Sequence, residues 1–201
     1  MVDEYLTISD NYKYEMKEKG SKFIALTFKI KSIENVETYI NQNKKEYYDA
    51  THNCYAYRLG LDGNQFRSND DGEPSGSAGK PILSAIDQFK ITDTLVIVNR
   101  YFGGTKLGIP GLVRSYNTSA YNAILNSKVI TLLIKKKITL RFEHKHISTV
   151  MHYISINKLP VIEQIYNEKV NLITEIRLSD IETHKNKMFE NLNGNIEFFE
   201  L

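Results

Sequence analysis

The chain has 201 residues, enough for one large domain or two small ones, and 41% are hydrophobic, as in ordinary globular proteins. Its 26 basic and 24 acidic residues give a formal charge of +2, so any basic site for nucleic acid must be local. The single cysteine, Cys54, excludes an internal disulfide, and no apolar run approaches the roughly 18 residues of a membrane span. We therefore expect a soluble cytoplasmic protein that contacts no membrane.

The first two thirds of the chain predict alternating strands and helices. The predicted strands lie at 5–9, 12–17, 21–30, 51–59 and 95–98, and the predicted helices at 33–47, 81–89 and 111–128. Ser32 is placed to cap the first helix, and Pro81 lies in the first turn of the second, where proline is favoured. The unbroken apolar run of 95–98 indicates a central strand covered on both faces.

The last third has a different pattern, with one glycine, one proline and regular alternation of apolar and polar residues. The predicted strands lie at 138–142, 161–168, 170–178 and 195–201, and the predicted helices at 147–154 and 181–192. This βαββαβ order predicts a ferredoxin-like unit. We place the domain boundary at the three lysines of 135–137, interpreted as a solvated strand edge or linker, which gives domains 1–134 and 135–201.

Two glycine-rich segments interrupt this pattern: residues 69–81, called the first loop, and residues 100–114, called the second loop. Nine of the eleven glycines and three of the four prolines lie between Gly60 and Gly111. A chain that concentrates its conformationally special residues in this way builds one particular surface with them. We expect the loops to follow neighbouring strands and to meet on that surface.

The first loop combines carboxylates, hydroxyls, glycines and a lysine. Its candidate binding residues are Asp70, Asp71, Gly72, Glu73, Ser75, Gly76, Ser77, Gly79 and Lys80. Backbone N–H groups at the start of a helix, framed by Gly76 and Gly79, favour an anion such as phosphate. The loop is not a Walker A motif, because Pro74 takes the place of the required first glycine. A structured turn leading into a capped helix is an equally good interpretation.

Catalytic interpretations of this region are weaker. Ser77 and Lys80 match the Ser-x-x-Lys spacing of some serine hydrolases, but two fixed residues make an unspecific motif. His52 and Cys54 share one strand face, with Asn53 between them, and support the site in either a catalytic or a zinc-binding interpretation. A small cysteine packed within the sheet is the better expectation.

The second loop combines cations and aromatic residues with glycines. Its candidate binding residues are Arg100, Tyr101, Phe102, Gly103, Gly104, Lys106, Gly108 and Arg114. Cations for phosphates, aromatic rings for base stacking and glycines for close approach favour a single-stranded nucleic-acid surface. The alternative is that Tyr101 and Phe102 close the core where the strand ends.

The segments THNCYAY from Thr51, NDDGEPSGSAGKP from Asn69, RYFGGTKLG from Arg100 and GLVR from Gly111 closely resemble the YigZ/IMPACT family. The resemblance implies an α+β protein with an N-terminal domain like domain 2 of ribosomal protein S5. It implies a ferredoxin-like C-terminal domain similar to one in translation elongation factor G. Pro110 departs from the family's more glycine-rich turn and predicts a stiffer tip that lacks one N–H donor.

The resemblance also bears on function. Eukaryotic relatives restrain a starvation-responsive kinase by competing for its activator, and nucleic-acid or ribosome association is the usual suggestion for bacterial ones. Our leading hypothesis is a non-enzymatic, translation-associated protein that binds RNA or the ribosome through the glycine-rich surface. The alternatives are a hydrolase or metal-dependent enzyme using Asp70, Asp71 and Glu73 beside His52, and a purely protein–protein regulator. The leading hypothesis involves no catalytic residue, metal or cofactor, and the sequence predicts no oligomeric state.

Overall fold

The protein is described here by a computed structural model that covers residues 3–201, and the chain forms two compact units. The N-terminal unit is Tyr5–Leu132, and the C-terminal unit is Leu133–Leu201 together with Asp3 and Glu4. Helices and strands are interspersed along the chain, and the strands form antiparallel sheets, as expected for the α+β class. A domain division at residues 134 and 135 stays a prediction. In the described part of the chain, no helix is both long and apolar enough to cross a membrane.

The elements of the first part of the chain follow the predicted order, with two strands that the sequence analysis did not predict. They are β1 (Glu4–Ile8), β2 (Tyr12–Glu18), β3 (Ser21–Lys29), α1 (Ile33–Glu46), β4 (His52–Leu59), β5 (Gln65–Asn69), α2 (Gly79–Gln88), β6 (Thr94–Tyr101), α3 (Gly108–Asn126) and β7 (Val129–Leu133). The unpredicted strands are β5 and β7. The first three residues of β5 are exposed and give no apolar alternation. Ser32 caps α1 as predicted, because its hydroxyl accepts the backbone N–H of Asn35 at 3.4 Å.

Strand β6 lies at the centre of a sheet with the order β2-β3-β6-β4-β5, while β1 pairs with β7. Val96 and Val98 point into a core beneath α2 and α3, whereas Leu95 and Ile97 join a second core with residues of α1. The prediction of a central strand covered on both faces is therefore confirmed. Continuous apolar sequence is what such a strand requires, because neither face meets water.

The order of the strands brings the two loops to one end of this sheet. Strands β5 and β6 both run antiparallel to β4, so they run parallel to each other and end on the same side. The first loop follows β5 and the second follows β6, and His52 begins β4 between them. The expectation of neighbouring strands was wrong, because β4 separates β5 from β6. We call this side the loop end of the sheet.

Helix α3 begins at Gly108, three residues before the predicted start. Pro110 consequently lies inside the first helical turn instead of at the tip of a loop. The first N–H groups of a helix have no intrahelical partner, so proline costs no hydrogen bond there. The buried residues Leu112, Tyr116, Ala120 and Ile124 recur at the predicted helical spacing and face the sheet.

The C-terminal unit has the predicted βαββαβ order. Its elements are β8 (Lys135–Phe142), α4 (Ile147–Ile156), β9 (Val161–Tyr166), β10 (Val170–Arg177), α5 (Ile181–Asn191) and β11 (Ile196–Glu200). They form an antiparallel sheet with the order β11-β8-β10-β9, and Ile138, Leu140 and Phe142 of β8 are buried in its core. The lysines of 135–137 are exposed and pair with β10, whereas β11 pairs only with residues 138–142 of β8. They therefore lie at a solvated edge of the sheet, as one interpretation expected, and they are not a linker.

Candidate functional site at the loop end of the sheet

Backbone pairing fixes the base of the candidate site. His52 at the start of β4 pairs with Arg100 near the end of β6, and Tyr55 pairs with Asn69 at the end of β5. The residues that begin both loops therefore flank a single strand. This pairing places the charged and polar side chains of the first loop next to those of the second loop.

A buried ion pair joins the two loops. Nη1 of Arg100 lies 2.6 Å from Oε1 of Glu73, and the two side chains are only 6% and 3% exposed. The same carboxylate oxygen accepts a hydrogen bond from the Tyr116 hydroxyl at 2.8 Å, and Nη2 of Arg100 donates to the Ser21 hydroxyl at 3.3 Å. Arg100 therefore crosslinks the interior and does not present its charge to solvent.

His52 lies beside this ion pair. Its Nδ1 is 2.8 Å from the carbonyl oxygen of Asp71, and its Nε2 is 3.8 Å from Oε1 of Glu73. A carbonyl oxygen only accepts hydrogen bonds, so Nδ1 must carry a proton. The imidazole thus holds the first loop against β4 through a backbone contact.

Asp70 fills the anion position that the sequence analysis identified at the start of α2. Its carboxylate accepts the backbone N–H groups of Gly76, Ala78 and Gly79 at 2.8, 3.0 and 2.8 Å. Burial by itself would raise the pKa of Asp70, but these three hydrogen bonds outweigh it and hold the pKa below its ordinary value. The amide cradle is already bonded to a carboxylate of the chain itself.

The carboxylates of the first loop do not converge. Asp71 accepts the backbone N–H of Asn53 at 2.7 Å, whereas Asp70 and Glu73 bind the partners given above. Asp71 and Gly72 have φ angles of 42° and 87°, so the chain turns through left-handed backbone between the carboxylates. Within residues 3–201, no group of three or more His, Cys, Asp or Glu side chains is arranged to hold a metal ion.

Cys54 is a packed residue of the sheet. Its Sγ lies 3.0 Å from the carbonyl oxygen of Asp70 and 3.4 Å from the Tyr116 hydroxyl. Burial, reinforced by the neighbouring carboxylates, raises the pKa of the thiol to about 12. Burial also raises the pKa of Tyr116, so both groups stay protonated at neutral pH.

The two residues of the Ser-x-x-Lys motif lie in different environments. Ser77 is fully buried and its hydroxyl has no hydrogen-bond partner among the described residues. Lys80 is exposed on the first turn of α2. A nucleophilic serine needs a hydrogen-bonded base and access to substrate. Ser77 has no such base among the described residues, and its burial prevents access to substrate.

Lys80 and Arg114 line the same groove at the surface. Both line an open groove of about 480 Å³ between α2 and α3. The other residues of the groove wall are Gly76, Pro81, Ser84, Gln88, Val113 and Asn117. Within residues 3–201, Lys80, Lys106 and Arg114 make no salt bridge with a carboxylate. Arg100 is not part of this groove.

Several candidate residues of the second loop are exposed: Phe102, Gly103, Gly104, Lys106 and Gly108. Phe102 is 47% exposed, and Gly104 and Gly108 have positive φ angles of 87° and 69°. The Tyr101 hydroxyl donates to Asp49 at 2.8 Å, and burial together with that carboxylate raises the pKa of Tyr101 to about 12. In the first loop, Ser75 and Gly72 are likewise exposed.

Two glycines are required by close backbone packing. A Cβ on Gly103 would overlap the backbone of Gly20 and Ser21, and one on Gly79 would lie 2.6 Å from the backbone nitrogen of Asn69. Local sequence pattern missed Ser21 and Tyr116 as parts of the site. Helical spacing marks Tyr116 as a core residue, and its hydroxyl contact with Glu73 has no local sequence signal.

Comparison with known proteins identifies relatives that belong to the IMPACT family. The model of the Impact N-terminal domain family matches residues 19–124. The IMPACT family member YvyE of Bacillus subtilis is 29% identical over 194 residues, which span 96% of this chain and 89% of that protein. An IMPACT family member of Haemophilus influenzae is 30% identical over 198 residues, which span 96% of this chain and 95% of its own.

Further matches are shorter or structural. YigZ of Escherichia coli is 34% identical over 108 residues, or 53% of each chain. A crystal structure of a hypothetical protein has a TM-score of 0.71 and 24% identity, covering 100% of this chain and 98% of that one. This last likeness concerns the fold alone.

Proposed function

This chain belongs to the YigZ/IMPACT family, and we propose that it is a non-enzymatic, translation-associated protein that binds RNA, free or in the ribosome, at the loop end of its N-terminal sheet. The observation that carries the proposal is the groove lined by Lys80 and Arg114, which are exposed and make no salt bridge with a carboxylate of residues 3–201. Two unpaired cations beside an exposed glycine-rich loop suit the phosphates of an RNA strand.

The balance of charge in the chain supports a local site of this kind. A net charge of +2 gives little long-range attraction to a polyanion, so affinity must come from particular contacts. Elsewhere at this end of the sheet, Arg100 is neutralised by Glu73, and the N-terminus of α2 is capped by Asp70. The cations that stay available are Lys80, Arg114 and Lys106, and they are the ones we assign to phosphate.

The proposal extends to the finer folds and to cellular location. We assign the N-terminal domain to the fold of domain 2 of ribosomal protein S5 and the C-terminal domain to the ferredoxin-like class. The βαββαβ order with the strand order β11-β8-β10-β9 supports the second assignment. Both folds occur in the translation apparatus. We also place the protein in the cytoplasm, because its single cysteine is a free thiol, which suits a reducing compartment.

The hydrolase alternative has less support from the geometry. Asp70, Asp71 and Glu73 each serve a different structural partner, so none is free to act as a base or to share a ligand with another. A purely protein-directed regulator would use the same exposed loops. Recovery of one defined protein after nuclease treatment, with no affinity for RNA, would favour that function over ours.

The test is a charge-removal experiment with a matched control. The double variant Lys80→Ala/Arg114→Ala should weaken binding of a labelled RNA and reduce co-sedimentation with ribosomes. If both cations contact phosphates, the slope of log affinity against log salt should fall in magnitude by about 1.4. The control variant Lys29→Ala/Lys31→Ala removes two cations at and just after the end of β3 that lies away from the loop end of the sheet. It should leave RNA binding unchanged. Equal effects of the two double variants, or none, would refute RNA binding in the groove.

A further inference from the structure

The side chain of Asn117 joins helix α3 to helix α2 across the groove. Its Nδ2 donates to the backbone carbonyl oxygen of Pro81 at 3.0 Å, and both residues line the groove together with Lys80 and Arg114. A carbonyl oxygen only accepts hydrogen bonds, so this contact fixes which end of the amide faces Pro81. The side-chain oxygen, Oδ1, is consequently the end of the amide that is left for another partner.

Oδ1 of Asn117 is an acceptor without a donor. Among residues 3–201, no N–H or O–H group donates to this oxygen, and it is not one of the buried polar atoms that lack a partner. It is therefore open to solvent. Because an amide oxygen accepts hydrogen bonds and cannot donate them, a ligand that fills the groove must offer it a donor.

A cation lies next to this acceptor on the same helix. Arg114 precedes Asn117 by three residues on α3, and side chains at this spacing are neighbours on one face, with Cβ atoms about 5 to 6 Å apart. Within residues 3–201, the groove wall contains no Asp or Glu. The groove therefore suits a ligand that carries a negative charge and, directly beside it, a neutral hydrogen-bond donor.

We propose that Oδ1 of Asn117 accepts a hydrogen bond from the 2′-hydroxyl of a nucleotide whose 3′-phosphate is bound by Arg114, and that Asn117 thereby selects RNA over DNA. The inference rests on the proposed function and specifies its ligand. The 2′-hydroxyl is a donor beside a phosphate, because it is on the sugar carbon next to the one that bears the 3′-phosphate. The donors of the bases lie farther from the backbone, and DNA has no hydroxyl at this position.

A second asparagine on α3 provides a matched control. Nδ2 of Asn122 donates to the backbone carbonyl oxygen of Thr118 at 2.9 Å, so its amide is oriented by the same kind of contact. In the part of the chain that the structure describes, Asn122 is not among the residues of the groove wall. Asn117→Ala and Asn122→Ala each remove one amide and one hydrogen bond to a backbone carbonyl, but only the first removes an acceptor from the groove.

The test uses the full chain and fluorescein-labelled single strands of one sequence, about 12 nucleotides long, made as RNA, 2′-fluoro RNA or DNA. The 2′-fluoro strand keeps the sugar shape of RNA but offers no donor. The parent protein should bind RNA about 2- to 10-fold more tightly than either other strand, which is the effect of one neutral hydrogen bond. Asn117→Ala should bind RNA and 2′-fluoro RNA equally, whereas Asn122→Ala should discriminate between them as the parent does.

The ratio of affinities separates selection of the 2′-hydroxyl from a structural role. Loss of the bond to Pro81 alone would weaken binding of all the strands by the same factor, and a preference for RNA that persisted in Asn117→Ala would overturn the inference. A preference lost in Asn117→Ala and kept in Asn122→Ala would support it.

The same measurements distinguish this inference from the proposed function. If the parent bound RNA and 2′-fluoro RNA equally, and Lys80→Ala/Arg114→Ala abolished that binding, selection by Asn117 would be overturned and RNA binding in the groove would stand. Failure of the parent protein to bind any of the strands would overturn both.

Discussion

Arg100 and Glu73 form an ion pair that is buried where the two glycine-rich loops meet. Their polar atoms are 2.6 Å apart, and each residue belongs to a different loop. A buried charge without its partner is strongly unfavourable, so the contact joins the loops as one structural unit. Arg100, which the sequence analysis proposed as a phosphate ligand, is therefore a buried structural residue.

Breaking this pair on one side should destabilise the protein. We expect Glu73→Leu or Arg100→Met to lower the free energy of unfolding by about 3 to 5 kcal/mol, because the remaining charge stays buried without a partner. The double variant should lose less than the sum of the two single variants. Urea unfolding followed by circular dichroism measures each value.

An exposed ion pair provides the control for that experiment. Lys136 and Glu200 lie 2.7 Å apart but are 46% and 45% exposed, so Lys136→Met should change stability by at most about 1 kcal/mol. If Glu73→Leu cost no more than Lys136→Met, the buried pair would not be the link between the loops.

Asp70 should make stability depend on pH in the acid range. Its folded-state pKa lies below the ordinary value of 3.8, so the ionised carboxylate stabilises the fold above that value. This contribution is lost as pH falls through the folded-state pKa. We expect Asp70→Asn to cost about 1 to 3 kcal/mol near neutral pH, where hydrogen bonds to a charge are lost. The difference from the parent should shrink below about pH 4, and a difference independent of pH would contradict the role of the charge.

Much of this architecture was predictable because apolar periodicity reports burial directly. The run of 95–98 identified the central strand, and the spacing of Leu112 and Tyr116 identified the buried face of α3. Strand β5 could not be predicted, because an edge strand with exposed residues 65–67 carries no apolar alternation. Helix α3 was expected too late, because Pro110 was interpreted as a turn residue although proline is also favoured in a first turn.

The candidate site was predictable as a location but not as a set of roles. Residue type alone cannot distinguish a cation that binds phosphate from one neutralised inside the protein. Arg100 and Arg114 look equivalent in sequence, yet the first is buried against Glu73 and the second lines a groove. The difference arises from the pairing of β6 with its neighbours, which is a contact between segments far apart in the chain.

Gly103 should be far less replaceable than Gly104, although the two are adjacent. A Cβ at position 103 would overlap the backbone of Gly20 and Ser21, which must then move. A Cβ at position 104 meets no atom of residues 3–201 within 4 Å, so Gly104→Ala costs only the strain of a φ of +87°, about 1 to 2 kcal/mol. We expect Gly103→Ala to cost more than Gly104→Ala in urea unfolding. The opposite order would show that the β2–β3 turn yields easily.

Cys54 should be inert in the folded protein and reactive only after unfolding. Its side chain is buried, and a pKa of about 12 leaves almost no thiolate, the reactive form, near pH 8. We expect a soluble aromatic disulfide to label less than one thiol per chain over hours in buffer and one thiol within minutes in concentrated urea. Glu73→Leu should accelerate labelling without urea, because it loosens the contacts of Tyr116 that cover Cys54. Rapid labelling of the folded parent would show that Cys54 is open to solvent.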